Sequence, residues 1–151
     1  MKIITWNLNS RTNLETLNKQ CDYLKEQDLD LITLQEVTLN SQEFFKDYFK
    51  NWNILSSFDF VSDKSVLVKK RKYGQLIISK DRITPIEPFS SMPFPERLLS
   101  GHIKNKNIEI HTTHVPPGSS NGVIKVQHFE ELYKFLAKRK DIQKILTGDF
   151  N

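Results

Sequence analysis

The chain opens on a short run, Lys2-Ile3-Ile4-Thr5-Trp6-Asn7, whose β-branched and aromatic residues read as a strand, bounded by the turn formers Asn9 and Ser10. A helix follows. Thr12-x-x-Glu15 is a capping-box pattern, Leu14, Leu17, Cys21 and Leu24 form an apolar stripe, and the helix closes near Gln27-Asp28. Leu29 to Leu34 is almost continuously apolar, which suits a strand buried on both faces, and it stops abruptly at Gln35-Glu36. Ser41 is placed to cap a short helix in which the aromatic pairs Phe44/Tyr48 and Phe45/Phe49 recur at helical spacing. From Trp52 to Lys80 the pattern shortens to strands near 53–57, 65–69 and 75–79. The basic cluster Lys69-Lys70-Arg71-Lys72 sits in the turn between the last two, a solvated turn by default with phosphate contact as the alternative.

Pro85, Pro88, Pro93 and Pro95 then mark a loop that cannot be a central strand. Arg97 to Lys104 and Ile108 to His114 read as an antiparallel hairpin joined at Asn105-Lys106-Asn107, its second strand ending at Pro116-Pro117-Gly118. The loop Gly118 to Gly122 leads into a helix of about 17 residues with Val126, Phe129, Leu132, Tyr133 and Leu136 on one face. Lys138-Arg139-Lys140 at its end suits the helix dipole. A last strand covers about Lys144 to Asp149.

With 151 residues, 38% hydrophobic and 26% charged, the composition is that of one soluble globular domain, without repeats or a linker. A net charge of +4 is compatible with a polyanionic partner and equally with an ordinary, slightly basic protein. No apolar run has the length of a signal peptide or a membrane span, so the expected location is cytoplasmic, without membrane insertion. The single cysteine, Cys21, cannot form an internal disulfide and lies on an apolar stripe, which makes it core packing rather than a catalytic thiol.

Candidate chemistry concentrates where strands end. In Thr147-Gly148-Asp149-Phe150-Asn151 a carboxylate and a carboxamide two residues apart share a strand face, roughly 7 Å apart. Asp149 offers hard oxygen to a divalent cation or accepts a proton from water, and the Asn151 amide can donate to a phosphate oxygen. Gly148 leaves room for a substrate or a neighbouring strand to approach. His111 and His114 stand three apart on a strand and therefore face opposite ways, so they do not make a joint zinc site. His114, beside the rigid Pro-Pro turn, is the functional candidate and His111 the structural one. Four expected strands thus end in polar groups suited to one phosphate and metal site: Asn7, Glu36, His114 and the Asp149/Asn151 pair.

These residues resemble a known family, the endonuclease/exonuclease/phosphatase superfamily. Thr5-Trp6-Asn7-Leu8-Asn9-Ser10-Arg11 looks like its opening motif and Leu34-Gln35-Glu36-Val37 like its second. His114-Val115-Pro116-Pro117-Gly118 is similar to its third, and Thr147-Gly148-Asp149-Phe150-Asn151 to its GDxN motif, all in the family's order. The resemblance implies an α/β (α+β) four-layer α/β/β/α sandwich of two mixed sheets, with the site along one edge. It also implies that Glu36 is the principal Mg²⁺ ligand, assisted by Asn7, with Mn²⁺ as the alternative ion. Asp149 would orient or deprotonate the attacking water; Asn151 and His114 would hold the scissile phosphate, with Asn9 and Arg11 beside it. The implied activity is phosphodiester hydrolysis, with nucleic acid the leading substrate and a phosphorylated small molecule or lipid headgroup the alternatives. A non-catalytic remnant or binding module of the same fold is a further alternative. The family pattern continues past GDxN to an Asp-His pair that has no counterpart here. The expectation is therefore of a domain whose C-terminal part is missing, with an exposed sheet edge and apolar face and negligible activity alone.

Overall fold

In the computed structural model the chain is described throughout except at residues 62, 64, 66, 68–71, 89, 90, 139 and 140. Three of the five residues of the strand expected over 65–69, and most of the basic cluster, Lys69 to Arg71, lie outside the described residues. The first apolar run forms β1 (Ile3–Asn7) and the continuous one β2 (Leu31–Val37), joined by the helix α1 (Leu14–Glu26). The two strands pair in parallel, Ile3 beside Leu31 and Asn7 beside Gln35, as a helical crossover requires. On the other side of β2, β4 (Gly74–Ser79) runs antiparallel and pairs in turn with β3 (Asn53–Ser56), giving the order β1-β2-β4-β3.

The second sheet has the order β5-β6-β7-β8, from β5 (Thr84–Ile86), β6 (Leu98–Ile103), β7 (Ile108–His114) and β8 (Gln143–Asp149). The hairpin β6–β7 is antiparallel, whereas β7 and β8 are parallel across the helix α3 (Gly118–Ala137). Both sheets are therefore mixed, and each contains one parallel strand pair linked by a helix. Helices α1 and α2 (Leu39–Tyr48) cover the outer face of the first sheet, where Leu17, Cys21, Leu24, Phe45 and Phe49 pack on Ile32, Leu34, Leu76 and Ile78. Between the sheets Leu31 and Ile77 join Leu99, Ile103 and Ile110. Outside the second sheet Leu132 and Phe135 of α3 pack with Leu98 and Met92. The result is the four-layer α/β/β/α sandwich, and each fully buried Leu, Ile or Phe holding it contributes about 1.5–3 kcal/mol. Cys21 is fully buried, and burial, reinforced by Asp22, pushes its thiol up to about 12, so it is inert packing.

Several local expectations are corrected. Asn13, not Thr12, caps α1, its side chain accepting from Thr16 N–H at 3.1 Å; asparagine is among the strongest N-caps. Glu15 instead pairs with Lys19 one turn on, and Leu14 is exposed. Thr38 caps α2, and Ser41 is the other half of its capping box, each hydroxyl accepting the other's backbone N–H. β2 continues through Gln35-Glu36 to Val37 because a register shift against β4 between Leu34 and Val37 accommodates them. Pro85 lies within β5, which is an edge strand, where proline costs no ladder bond. α3 begins at Gly118 rather than after Gly122, directly after Pro117, which stands extended at the N-cap. Its buried face is His128, Leu132 and Phe135, while Val126, Phe129 and Tyr133 are exposed.

Candidate metal and phosphate site

The parallel pairs β1/β2 and β7/β8 run in the same sense within their sheets, so the ends that the sequence marked as polar emerge at one edge of the sandwich. Asn7 sits at the close of β1 and its Nδ2 donates both to Glu36 Oε1 at 3.2 Å and to Asp149 Oδ2 at 2.7 Å. One carboxamide thereby bridges carboxylates from the two sheets. Its Oδ1 is held away from them, accepting the Asn9 N–H at 2.8 Å, so in this geometry Asn7 presents nitrogen to the acids. Oxygen ligation by Asn7 would require the amide to turn over and give up the Asn9 bond. Ser10 Oγ donates to the second oxygen of Glu36 at 3.0 Å, and His114 Nε2 lies 3.6 Å from Oε1. Asn9 and Arg11 are exposed on the same rim.

The backbone here is unusual. Asn9, Ser10, Glu36 and Asn151 all have φ between 47° and 54°, in the left-handed region that residues other than glycine rarely adopt. At Glu36 this accompanies the register shift in β2, and a bulge of this kind re-aims a side chain toward the strand's end. Gly148 has φ 135°, and a Cβ there would stand 2.0 Å from Thr113 O, so its bare backbone serves the close approach of β7 rather than of a substrate. Asn151 does not prolong β8. It turns back, its N–H donating to Asp149 Oδ1 at 3.0 Å and its Nδ2 to Val115 O at 2.8 Å, which leaves one amide hydrogen uncommitted.

Burial lowers the His114 pKa and the nearby Arg97 guanidinium lowers it further, against the opposing pull of Glu36 and Asp149. The imidazole is therefore neutral at neutral pH, and the 3.6 Å contact with Glu36 is not an ion pair there. Its Nδ1 is buried without a hydrogen-bond partner among the described residues while Nε2 faces a carboxylate, which places the single proton on Nε2. Partial burial raises the Asp149 pKa, but the bonds from Asn7 and the Asn151 N–H, with the proximity of His114, outweigh it and hold the acid below its usual value. Beside Ser10 a cleft of about 430 Å³ is lined by Thr12, Thr38, Asn40 and Lys72 with a leucine wall.

The profile of the Endonuclease/Exonuclease/phosphatase family matches residues 4–151. The chain belongs to this family. It is 26% identical over 162 residues to an exodeoxyribonuclease of Bacillus subtilis (strain 168), a match covering 100% of this chain and 58% of that protein. Among solved structures it resembles an AP endonuclease from Archaeoglobus fulgidus, with a TM-score of 0.74 and 25% identity over 99% of this chain and 57% of that one. The fold is shared also with a 3'-5' exonuclease from Neisseria meningitidis, with a TM-score of 0.70 and 22% identity over 100% and 58% of the two chains. The chain spans less than two thirds of the length of each.

Within this Endonuclease/Exonuclease/phosphatase chain, no three His, Cys, Asp or Glu side chains among the described residues are grouped as a metal cage. Mg²⁺ does not need one: it is held by one or two carboxylates with water and phosphate oxygens. Two hard carboxylates converging on one amide, with no Lys or Arg among the described residues paired to either, are a donor set that fits such an ion. Sequence reasoning missed Ser10 as a partner of Glu36, and it missed Arg97 and His128 behind His114. Arg97 could have been found from its place directly before β6, the strand hydrogen-bonded to β7. His111 is the structural histidine, buried between Ser100 Oγ at 2.8 Å and Glu109 at 3.4 Å.

Proposed function

We propose that this site belongs to a divalent-metal-dependent phosphodiesterase acting on nucleic acid. The observation that carries the reading is the convergence of Glu36 from one sheet and Asp149 from the other on the single Asn7 amide, with neutral His114 alongside. The exodeoxyribonuclease and AP endonuclease named above support nucleic acid as the substrate class, whereas a lipid headgroup or a small phosphoester draws no support from them. Glu36 and Asp149 would hold Mg²⁺, or Mn²⁺ in its place, and the ion would supply electrostatic stabilisation of charge at the phosphate. Asp149, kept anionic by its hydrogen bonds, orients water more readily than it removes a proton from it. Neutral His114 donates Nε2–H to a phosphate oxygen. Asn151 offers its remaining amide hydrogen, and Asn9 and Arg11 approach from the rim. Lys72, bordering the cleft beside Ser10, extends the positive surface along the substrate path.

Calorimetric titration of Mg²⁺ into the chain, followed by DNA binding measured across a salt series, tests the reading. Divalent binding should disappear in Glu36→Gln, since the carboxamide lacks the charge the ion needs. DNA affinity should fall steeply as salt rises, because phosphate contacts release counterions. Unchanged Mg²⁺ binding in the variant would remove Glu36 from the site, and a flat salt response would point to a small phosphoester instead.

A further inference from the structure

The inner faces of the four strands that build the site share a spacing that the catalytic reading does not use. β1 reads Ile3-x-Thr5-x-Asn7, β7 reads Ile110-x-Thr112-x-His114, β8 reads Ile145-x-Thr147-x-Asp149, and β2 reads Leu31-x-Thr33-x-Gln35 before the turned-out Glu36. Alternate residues of a strand share a face, so each set forms a column of three. The lowest members join the inter-sheet core, and the highest are the site residues or adjoin them. Between the two lies a layer of four threonines.

Those threonines are tied together across the sandwich. Gln35 Nε2 donates one hydrogen to Thr5 Oγ1 at 3.0 Å, within its own sheet, and the other to Thr112 Oγ1 at 2.9 Å in the opposite sheet. Thr147 Oγ1 donates to His111 O at 3.1 Å, so in its 2.9 Å contact with Thr33 Oγ1 it is Thr33 that donates. Both amide hydrogens of Gln35 and the hydroxyl hydrogens of Thr33 and Thr147 are thereby committed, with the Thr5 and Thr112 hydroxyls serving as acceptors. Gln35, Thr33 and Thr112 are essentially inaccessible to water, so any of these polar groups left unpaired would cost on the order of 1–3 kcal/mol. An apolar layer tolerates sliding by a fraction of an ångström. This layer does not, because hydrogen bonds fail with small changes of distance and angle.

We propose that the Thr5, Thr33, Thr112 and Thr147 layer with Gln35 is a positioning layer, which fixes the separation and register of the two sheets so that Asn7 and Glu36 meet Asp149 and His114. The residues act through Asn7, His114 and Asp149, two positions along from Thr5, Thr112 and Thr147, and through Glu36, next to Gln35, and touch neither metal nor substrate. The inference rests on the proposed function for its consequence in metal binding, but its geometric core, the Asn7 to Asp149 bond across the sheets, is measurable without any ion.

Thr147→Val and Thr112→Val remove one hydroxyl each at nearly constant shape. In the full 151-residue chain the Asn7 side-chain amide signals in a nitrogen-15 correlation spectrum should move, and Mg²⁺ affinity should fall about 10- to 100-fold, as for other groups supporting metal ligands. Thr147→Ser, which restores the hydroxyl, should recover both readouts. Ile110→Val, which trims the apolar layer beneath, should lower the unfolding midpoint and leave both unchanged. If Thr147→Val does not fold, Thr147→Ala removes the same hydroxyl with less bulk and is read in the same way. A folded valine or alanine variant with the wild-type Asn7 signals and wild-type affinity would overturn the proposal. Movement of the Asn7 signals in a chain whose wild type binds no Mg²⁺ would sustain the layer and sink the metal reading.

Discussion

At the scale of single residues the site depends on backbone conformations that side chains alone would not choose. Gly148 is the sharpest case. Its φ of 135° is open to glycine, and an added Cβ would lie 2.0 Å from Thr113 O and 2.8 Å from Thr113 N, both backbone atoms that cannot rotate aside. Gly148→Ala should therefore destabilise the fold by about 3 kcal/mol, from backbone strain together with overpacking, and weaken the proposed Mg²⁺ binding as β8 is displaced from β7. Urea unfolding measures the first effect; a loss under about 1 kcal/mol would show that β8 can swing clear without strain. The residues themselves were largely legible in the sequence. Asn7, Glu36, His114 and Asp149 each stand where an apolar run turns polar, and the structure gathers Glu36 and Asp149 on the Asn7 amide with His114 3.6 Å from Glu36. The direction in which Glu36 points was not legible, because it follows from a register shift set by β4, a strand that begins at Gly74, 38 residues later in the chain. Nor was the orientation of the Asn7 amide, which is decided by the Asn9 N–H at its other end.

At the scale of elements, α3 shows how a partner decides which face of a helix is buried. Its sequence carries two apolar stripes. The one formed by Val126, Phe129 and Tyr133 stays in solvent, while His128 is buried beside Leu132 and Phe135. The reason lies in the sheet beneath, whose outer face presents Ser100, His111 and Thr113 and needs a polar partner there. Thr113 Oγ1 donates to Arg97 O, so His128 Nε2 must be the donor in its 2.8 Å bond to that hydroxyl, which leaves Nδ1 as the unprotonated nitrogen. Burial, the Arg97 charge and His114 push the His128 pKa down from 6.5 to about 4. A histidine with a depressed folded pKa binds its proton more tightly when unfolded. Stability is then full above pH 6.5 and is lost as pH falls toward about 4. The contribution is on the order of 3 kcal/mol, and His114, shifted in the same direction, adds to it. Urea midpoints of the wild type should drop between about pH 7 and about pH 4.5, and His128→Gln should flatten that slope. A wild-type midpoint constant over this range would show that His128 ionises freely in the folded state.

At the scale of the whole molecule the two sheets are unevenly covered. The first sheet ends at β1 and the second at β8, and these strands face each other across the sandwich, so both free edges open on one side. Most of the large exposed apolar residues lie there and on the helix above, with Leu14 and Tyr23 of α1 apart from them. Val123, Val126, Phe129 and Tyr133 recur every three or four residues along the outer stripe of α3. Leu146 lies beside His111 in the β7–β8 register, and so faces the α3 side of the sheet at its free edge, with Phe150 just beyond. Scattered exposed apolar residues are ordinary; a contiguous stripe beside an unpaired strand is a surface for association. A net charge of +4 gives only weak repulsion between copies, and at high salt that repulsion is screened beyond a few ångströms, so the apolar attraction dominates. The 151-residue chain should therefore self-associate at micromolar concentration, more strongly as salt rises. Val126→Glu with Tyr133→Lys places opposite charges on the stripe without touching the buried face of α3, and it leaves the net charge at +4 because the two changes cancel. Stability should stay within about 0.5 kcal/mol, as for other surface substitutions. Sedimentation velocity of the double variant should show a monomer where the wild type does not. Equal association in both, or a wild type that remains monomeric in high salt, would show that the stripe and the open edges are not the adhesive surface.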